Sequence, residues 1–217
     1  MNQDFVVLCA AGMLVTAYLM VGQKALFVAI RLYGLQSILL GVVAAAMAVA
    51  STEHRSHLIT SAALTIGLKG VFIPWFLMRT IDRIGIHREI EPFVNTPSSL
   101  LICLGLTVVG YRVSTGLAEG SAGSAHHVIG VSLSMLLMGL FLMVTRRKAV
   151  TQILALLTVE NSVFLVALGA TSGMPLIVEL GISFDVILAV LILGIFVHRI
   201  VDRFESMDVS RLSKLKG

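Results

Sequence analysis

The stretch AVTQILALLTVENSVFLVALG, from Ala149 to Gly169, decides the fold class of this 217-residue chain. Apart from Gln152, Glu160, Asn161 and a few hydroxyl side chains it is apolar, and it is long enough to cross roughly 30 Å of hydrocarbon at about 1.5 Å per helical residue. Lipid offers no partners to backbone N–H and C=O groups, so the stretch is predicted to be a transmembrane helix. Its central carboxylate needs a functional explanation.

Six further apolar runs of similar length occupy most of the chain. Hydrophobic residues make up 57% of the sequence and charged residues only 13%, with a mean hydropathy of +0.98. This composition predicts an all-α integral membrane protein rather than a soluble domain. The seven predicted spans are Phe5–Val21, Arg31–Ala50, Leu58–Met78, Pro97–Val113, Val128–Val144, Ala149–Gly169 and Pro175–Val197.

The distribution of cations predicts the orientation of the chain. Of the 16 Lys and Arg residues, thirteen fall on one side of the predicted spans, Arg55 and Arg112 fall on the other, and Lys69 lies within a span. Cytoplasmic loops retain Lys and Arg, so the N-terminus is predicted outside and the C-terminus inside. The net charge of +4 is thereby explained without a nucleic-acid partner.

The first and second halves of the chain share a repeated pattern. FLMRTIDRI, from Phe76 to Ile84, matches FVHRIVDRF, from Phe196 to Phe204, in its Phe, Arg, Asp and Arg positions. The pattern predicts a parallel repeat of three helices, one connecting helix and three helices. The predicted parts are a first repeat at 1–95, a connecting helix with an outer loop at 96–122, and a second repeat with a basic tail at 123–217.

The repeat places acids of the second copy opposite neutral polar residues of the first. Glu160 falls opposite Gln36, and Asp185 falls opposite Thr65. Both acids lie near the middle of their spans, as does Lys69 in the third. A charge at the bilayer centre costs about 2.5 to 3.5 kcal/mol on insertion scales, so these residues are candidates for function.

Three interpretations of this buried set remain open. Lys69 pairs with an acid only to fix helix packing, or the acids are protonated and hydrogen-bonded, or the groups form a proton or ion relay. Asn161 is suited to hydrogen-bond a neighbouring helix. Glu179, about one turn into the seventh span, either ends a proton path or meets interfacial water.

Metal, cofactor and catalytic motifs are absent from the sequence. Cys9 and Cys103 lie inside apolar spans, where cysteine behaves as a small hydrophobic residue. The six histidines have no metal-ligand spacing, and the sequence contains no phosphate-binding glycine loop or nucleophile pair. No metal, cofactor-binding or catalytic residue is therefore predicted in this chain.

The C-terminal part of the chain resembles a known family. VEN at Val159–Asn161, IVELGISFDVILAVLIL at Ile177–Leu193 and DVSRLSKLKG at Asp208–Gly217 together resemble hydrogenase-4 component E, a membrane subunit of formate hydrogenlyase and related group 4 nickel–iron hydrogenases. The last three helices are also similar to the K subunit of complex I and the C subunit of multisubunit cation/proton antiporters. In the K subunit, however, the glutamate precedes the asparagine by four positions, whereas Glu160 precedes Asn161 by one.

The resemblance implies a subunit of an oxidoreductase complex that has no redox centre of its own. Its implied partners are antiporter-like membrane subunits and a soluble hydrogenase arm, which would hold the nickel–iron centre and the iron–sulfur clusters. Its implied location is the cytoplasmic membrane of a bacterium or archaeon. Its implied role is proton or sodium translocation coupled to hydrogen turnover, and Glu160, Asn161, Glu179, Asp185 and Lys69 match the pattern of component E. With Gln36, which the repeat places opposite Glu160, these residues are the predicted ion or proton relay.

Two other functions compete with this interpretation. The parallel repeat is also typical of a stand-alone transporter for a small solute. The charged and isoleucine-rich segment from Arg79 to Asn95 suits either a short amphipathic piece at the membrane surface or a docking site for a soluble subunit, in which case the protein would be a structural anchor.

Overall fold

A computed structural model describes residues 3–50, 55–84, 94–117 and 124–171, and the elements in these ranges are helices. Their order along the chain is α1 Gln3–Gly22, α2 Leu26–Ala50, α3 Arg55–Leu64, a π-helical segment Thr65–Phe72, α4 Ile73–Ile84, α5 Thr96–Leu117, α6 Ser124–Thr145 and α7 Ala149–Thr171. The expectation of an all-helical membrane protein is confirmed for this part of the chain.

Six stretches of these helices are long and apolar enough to cross a membrane. They are Asp4–Gly22, Leu26–Val49, Leu58–Asp82, Thr96–Gly116, His126–Thr145 and Ala149–Ala170, and they match the first six predicted spans. The seventh predicted span, with Glu179 and Asp185, lies outside the described residues. The parallel repeat and the orientation of the termini therefore stay predictions.

The second span begins earlier than its hydropathy indicates. It starts at Leu26, so Arg31 lies inside α2 instead of at its beginning. The Arg31 side chain is exposed on the helix surface. A long cationic side chain can cover apolar surface with its methylene groups while its charged end reaches the headgroup region, so one arginine within a turn or two of a helix end is tolerated.

The third span is one crossing built from three helical pieces. The π-helical segment connects α3 to α4, and the backbone N–H of Ile73 donates to the carbonyl of Leu68, five residues earlier. Pro74 follows at once and has no N–H to donate to the preceding turn, and proline is a common cause of irregular geometry inside a helix. α4 then continues to Ile84, so the first residues of the predicted amphipathic segment Arg79–Asn95 extend this helix.

Four helices surround the common core. α1 packs against α2 and α6, while α7 packs against α2 and α6. The apolar part of their contact surfaces is filled by side chains such as Met13, Val43, Met135 and Leu165. α5 lies against α6 and α1, and the third span lies against α2.

Small residues allow close approach where these helices meet. A Cβ atom added at Gly110 of α5 would lie 2.7 Å from the backbone nitrogen of Ser134 in α6. A Cβ atom at Gly34 of α2 would lie 3.1 Å from the carbonyl oxygen of Gly70, in the π-helical segment. Glycine contacts of this kind are typical of helix packing in lipid, where the hydrophobic effect supplies little attraction between helices. The second contact brings the π-helical segment against α2.

Candidate functional site

Lys69 and Glu160 form a buried ion pair between the third span and α7. Lys69 comes from the π-helical segment, and Nζ lies 3.2 Å from Oε1 of Glu160. Lys69 is 1% exposed and Glu160 is 5% exposed. Both residues lie near the middle of their spans, so the pair is held at the depth where an isolated charge would be most costly.

Asn161 connects this ion pair to α2. Its Oδ1 accepts a hydrogen bond of 3.4 Å from Nζ of Lys69. Its Nδ2 donates to Oε1 of Gln36 at 3.3 Å and to Oγ of Ser37 at 3.0 Å. Because an amide has both an acceptor and two donors, this residue can contact the cation on one side and two oxygens on the other.

Gln36 extends the hydrogen bonding to α1. Its Nε2 donates to the carbonyl of Met13 at 3.3 Å and to Oγ1 of Thr16 at 3.4 Å. The Thr16 hydroxyl in turn donates to the Met13 carbonyl at 2.6 Å. We call the resulting set the polar network, and it consists of Thr16, Gln36, Ser37, Lys69, Glu160 and Asn161. It runs without interruption through α1, α2, α7 and the π-helical segment.

Each member of the polar network is buried. Removing a carboxylate and an ammonium ion from water costs several kcal/mol per ion, which their attraction offsets only when the geometry is good and further hydrogen bonds are formed. The ion pair and the Asn161 amide meet this requirement in part. The protein thus holds opposite charges and neutral polar groups together, away from the acyl chains.

The structure brings together four of the six residues predicted for the relay. Lys69, Glu160, Asn161 and Gln36 are in the polar network, while Glu179 and Asp185 lie outside the described residues. Thr65, the residue predicted opposite Asp185, is buried in the π-helical segment with Lys69.

Sequence reasoning missed Thr16 and Ser37. Both are short hydroxyl residues, which are common in transmembrane helices because they hydrogen-bond the backbone at little cost. Ser37 could have been found from its position beside Gln36, since two adjacent polar side chains interrupt an apolar helix there. Thr16 carried no comparable signal.

A second group of polar contacts connects α1 to α5 and α6. The Tyr18 hydroxyl lies 2.7 Å from Oγ1 of Thr107 and donates to the carbonyl of Cys103 at 3.2 Å. Ser134 donates to the carbonyl of Thr107 at 3.2 Å. These groups are neutral, and they fix neighbouring helices rather than move charge.

The connections α1–α2 and α6–α7 lie on the same face of the molecule. Nη2 of the buried Arg146 donates to the carbonyl of Val21 at 2.6 Å, and so satisfies one of the carbonyls left open at the end of α1. A cleft beside it is lined by residues of both connections and of the helices they join, including Lys24, Arg146 and Thr151. In the described ranges, no three His, Cys, Asp or Glu side chains are grouped as metal ligands.

Comparison with known proteins supplies a family and a partial relative. No protein-family model matches the chain, and no solved structure matches it significantly. The chain is 33% identical over 89 residues to hydrogenase-4 component E of Escherichia coli K12 and of Shigella flexneri, which covers 41% of this chain and 41% of each relative. It is 30% identical over 219 residues to the uncharacterized protein Rv0085 of Mycobacterium tuberculosis, which covers 99% of both chains. The chain therefore belongs to the same family as Rv0085 of Mycobacterium tuberculosis.

Proposed function

We propose that this protein is a membrane subunit of a hydrogenase-like multisubunit complex and that its polar network takes part in proton or sodium translocation. The partial similarity to hydrogenase-4 component E supports membership of such a complex. The observation that carries the proposed role is the Lys69–Glu160 pair, which is buried near mid-span and hydrogen-bonded through to α1. Intramembrane ionisable groups commonly mark ion pathways.

The polar network can change its charge distribution without gaining net charge. When a proton moves from Lys69 to Glu160, an ammonium ion and a carboxylate become a neutral amine and a carboxylic acid. A charge that arrives in a neighbouring subunit would favour one of these two states, since electrostatic interactions are weakly screened in the membrane interior. Such a response would couple an event elsewhere in the complex to proton transfer here.

The other predicted relay residues would either orient the Lys69–Glu160 pair or carry protons to it. Asn161 contacts Lys69 and the α2 side chains at once, so it orients the pair relative to α2. Asp185 and Glu179 would extend the path along the seventh span. The redox centres would belong to partner subunits, and the chain would lie in a bacterial or archaeal cytoplasmic membrane with its N-terminus outside.

Substitution in the assembled complex tests the translocation role. We expect Glu160→Gln and Asp185→Asn each to lower ion pumping by about tenfold or more in membrane vesicles, because a carboxamide cannot accept the proton, a loss of about 1.4 kcal/mol or more. Ser132→Ala is the control, since Ser132 is buried in α6, outside the polar network, and donates to the carbonyl of Val128 in its own helix. Full pumping and full hydrogen turnover in both acid variants would leave only the structural role.

Purification tests membership of the complex. We expect the chain, tagged at its C-terminus and gently solubilised from native membranes, to bring with it proteins that contain nickel, iron and acid-labile sulfide. If the chain purifies alone and transports a solute after reconstitution, complex membership is wrong and it is an independent transporter.

A further inference from the structure

We propose that the ion handled by the polar network is the proton, and that Lys69 excludes sodium by occupying the position that a bound Na⁺ would need. This inference rests on the proposed function, and it decides between the two ions left open there. The decisive feature is the place of the Lys69 ammonium, which lies 3.2 Å from Oε1 of Glu160 and 3.4 Å from Oδ1 of Asn161.

These two oxygens are the ligands that a hard cation would seek in the polar network. Hard cations are bound by several oxygen atoms, with carboxylates and amide carbonyls prominent among them. Here a carboxylate oxygen and an amide oxygen already converge on one point, and Nζ of Lys69 is at that point. Lys69 is a built-in cation that neutralises Glu160.

Three further side-chain oxygens of the polar network, one each from Gln36, Ser37 and Thr16, also accept hydrogen bonds. Oε1 of Gln36 and Oγ of Ser37 both accept from Nδ2 of Asn161. Oγ1 of Thr16 accepts from Nε2 of Gln36. A sodium ion would have to displace these N–H groups and would then lie beside an ammonium ion in a medium of low dielectric, where like charges repel strongly.

Proton transfer requires none of this rearrangement. An N–H bond of Lys69 breaks and an O–H bond of Glu160 forms, and the reverse step restores the ion pair. The donor and acceptor atoms are already adjacent, and the sum of their charges stays the same. Within the described ranges, these two side chains are the ionisable members of the polar network.

The test measures sodium binding by the full-length chain itself. The melting temperature, Tm, of the protein in lipid nanodiscs is recorded in NaCl, KCl and choline chloride at equal ionic strength. An ion that binds only the folded state stabilises it by RT ln(1 + [L]/Kd), so a site gives a rise of Tm that continues with the logarithm of the ion concentration. We expect the wild-type Tm to be the same in all three salts.

Two substitutions at one position supply the comparison. Lys69→Ser removes the ammonium ion and adds a hydroxyl oxygen, so we expect it to gain a sodium-dependent rise of Tm. Lys69→Met fills the same space without a charge or an oxygen, and it should gain none.

A sodium-specific rise of Tm in the wild type overturns the inference, and this measurement decides the matter even if a variant does not fold. A Lys69→Ser protein that folds but shows no sodium dependence also counts against it. Neither result bears on the pumping assay, where loss of activity in Glu160→Gln tests the proposed function separately.

Discussion

At the scale of single residues, the charges of Lys69 and Glu160 stabilise each other, whereas burial destabilises both of them. Each charge alone would be left in an apolar surrounding, whereas together they lie 3.2 Å apart with Asn161 beside them. Replacing both partners of a buried ion pair by apolar groups is often neutral for stability, whereas removing one partner is strongly destabilising. The change in the free energy of unfolding is therefore expected to depend strongly on whether one or both charges are removed.

We predict that the single variants Lys69→Met and Glu160→Gln each lower the free energy of unfolding by about 3 to 5 kcal/mol, because each leaves one buried charge without its partner. The double variant should lie within about 1 to 2 kcal/mol of the wild type. Unfolding by denaturant in detergent micelles measures all four proteins. Arg31→Gln removes an exposed charge and should change stability by less than about 0.5 kcal/mol. Additive losses in the double variant would contradict direct pairing.

The sequence predicts which residues are in the polar network better than it predicts their contacts. Lys69, Glu160, Gln36 and Asn161 stand out because polar groups at mid-span are costly, and this cost can be read from one helix at a time. Which helix lies opposite depends on packing between distant segments, so the direct contact of Asn161 with Ser37 could not be predicted. Thr16 was missed because a hydroxyl group in an apolar helix is common and inexpensive.

At the scale of elements, helix contacts are set by small residues. Gly110 of α5 faces the backbone of Ser134 in α6, while Gly105 of the same helix has no atom within 4 Å of the position where its Cβ would lie. The two glycines thus differ in whether the neighbouring helix leaves space for a Cβ atom. This contrast provides an internal control for close helix packing.

We predict that Gly110→Ala destabilises the protein by about 1 to 3 kcal/mol, because the new methyl group must push two backbones apart. Gly105→Ala should be neutral or slightly stabilising, by up to about 1 kcal/mol, since alanine favours a helix more than glycine does. Thermal unfolding in the same detergent compares them. Equal effects of the two substitutions would show that α5 and α6 do not approach as closely as described.

Hydropathy predicts the elements but not their internal geometry. Six spans could be read from the sequence because lipid thickness fixes the length of an apolar helix. The start of α2 was placed too late because Arg31 lowers the local hydropathy, although its side chain is exposed on the helix surface. The π-helical segment could not be predicted, since nothing in the sequence TIGLKGVF specifies hydrogen bonds to the fifth preceding residue instead of the fourth. Pro74 was the available sign of an irregularity.

At the scale of the whole molecule, two helix connections that are rich in cations lie on the same face. The α1–α2 and α6–α7 connections lie together, and they include Lys24, Arg146, Arg147 and Lys148. Cations gathered on one face are typical of the cytoplasmic side of a membrane protein. Arg146 is also part of the fold there, because its guanidinium group donates to the end of α1.

We predict that Arg147→Cys reacts with a membrane-impermeant maleimide only after cells are permeabilised, because the positive-inside rule places this connection in the cytoplasm. Glu119→Cys, in the predicted outer loop, should react in intact cells. The native Cys9 and Cys103 are buried and should contribute little labelling. The opposite pattern of reactivity would show that the predicted orientation of the chain is wrong.

The number of residues in the π-helical segment determines the direction in which Lys69 points. A residue inserted into or removed from a regular helix turns everything beyond it by about 100° around the axis. Deleting one residue between Thr65 and Lys69 would thus rotate the lysine away from α7 unless Pro74 and α4 moved instead. The spacing of this stretch selects the partner of Lys69, so a homologous chain with an identical lysine but a shorter stretch would direct its positive charge toward a different neighbour.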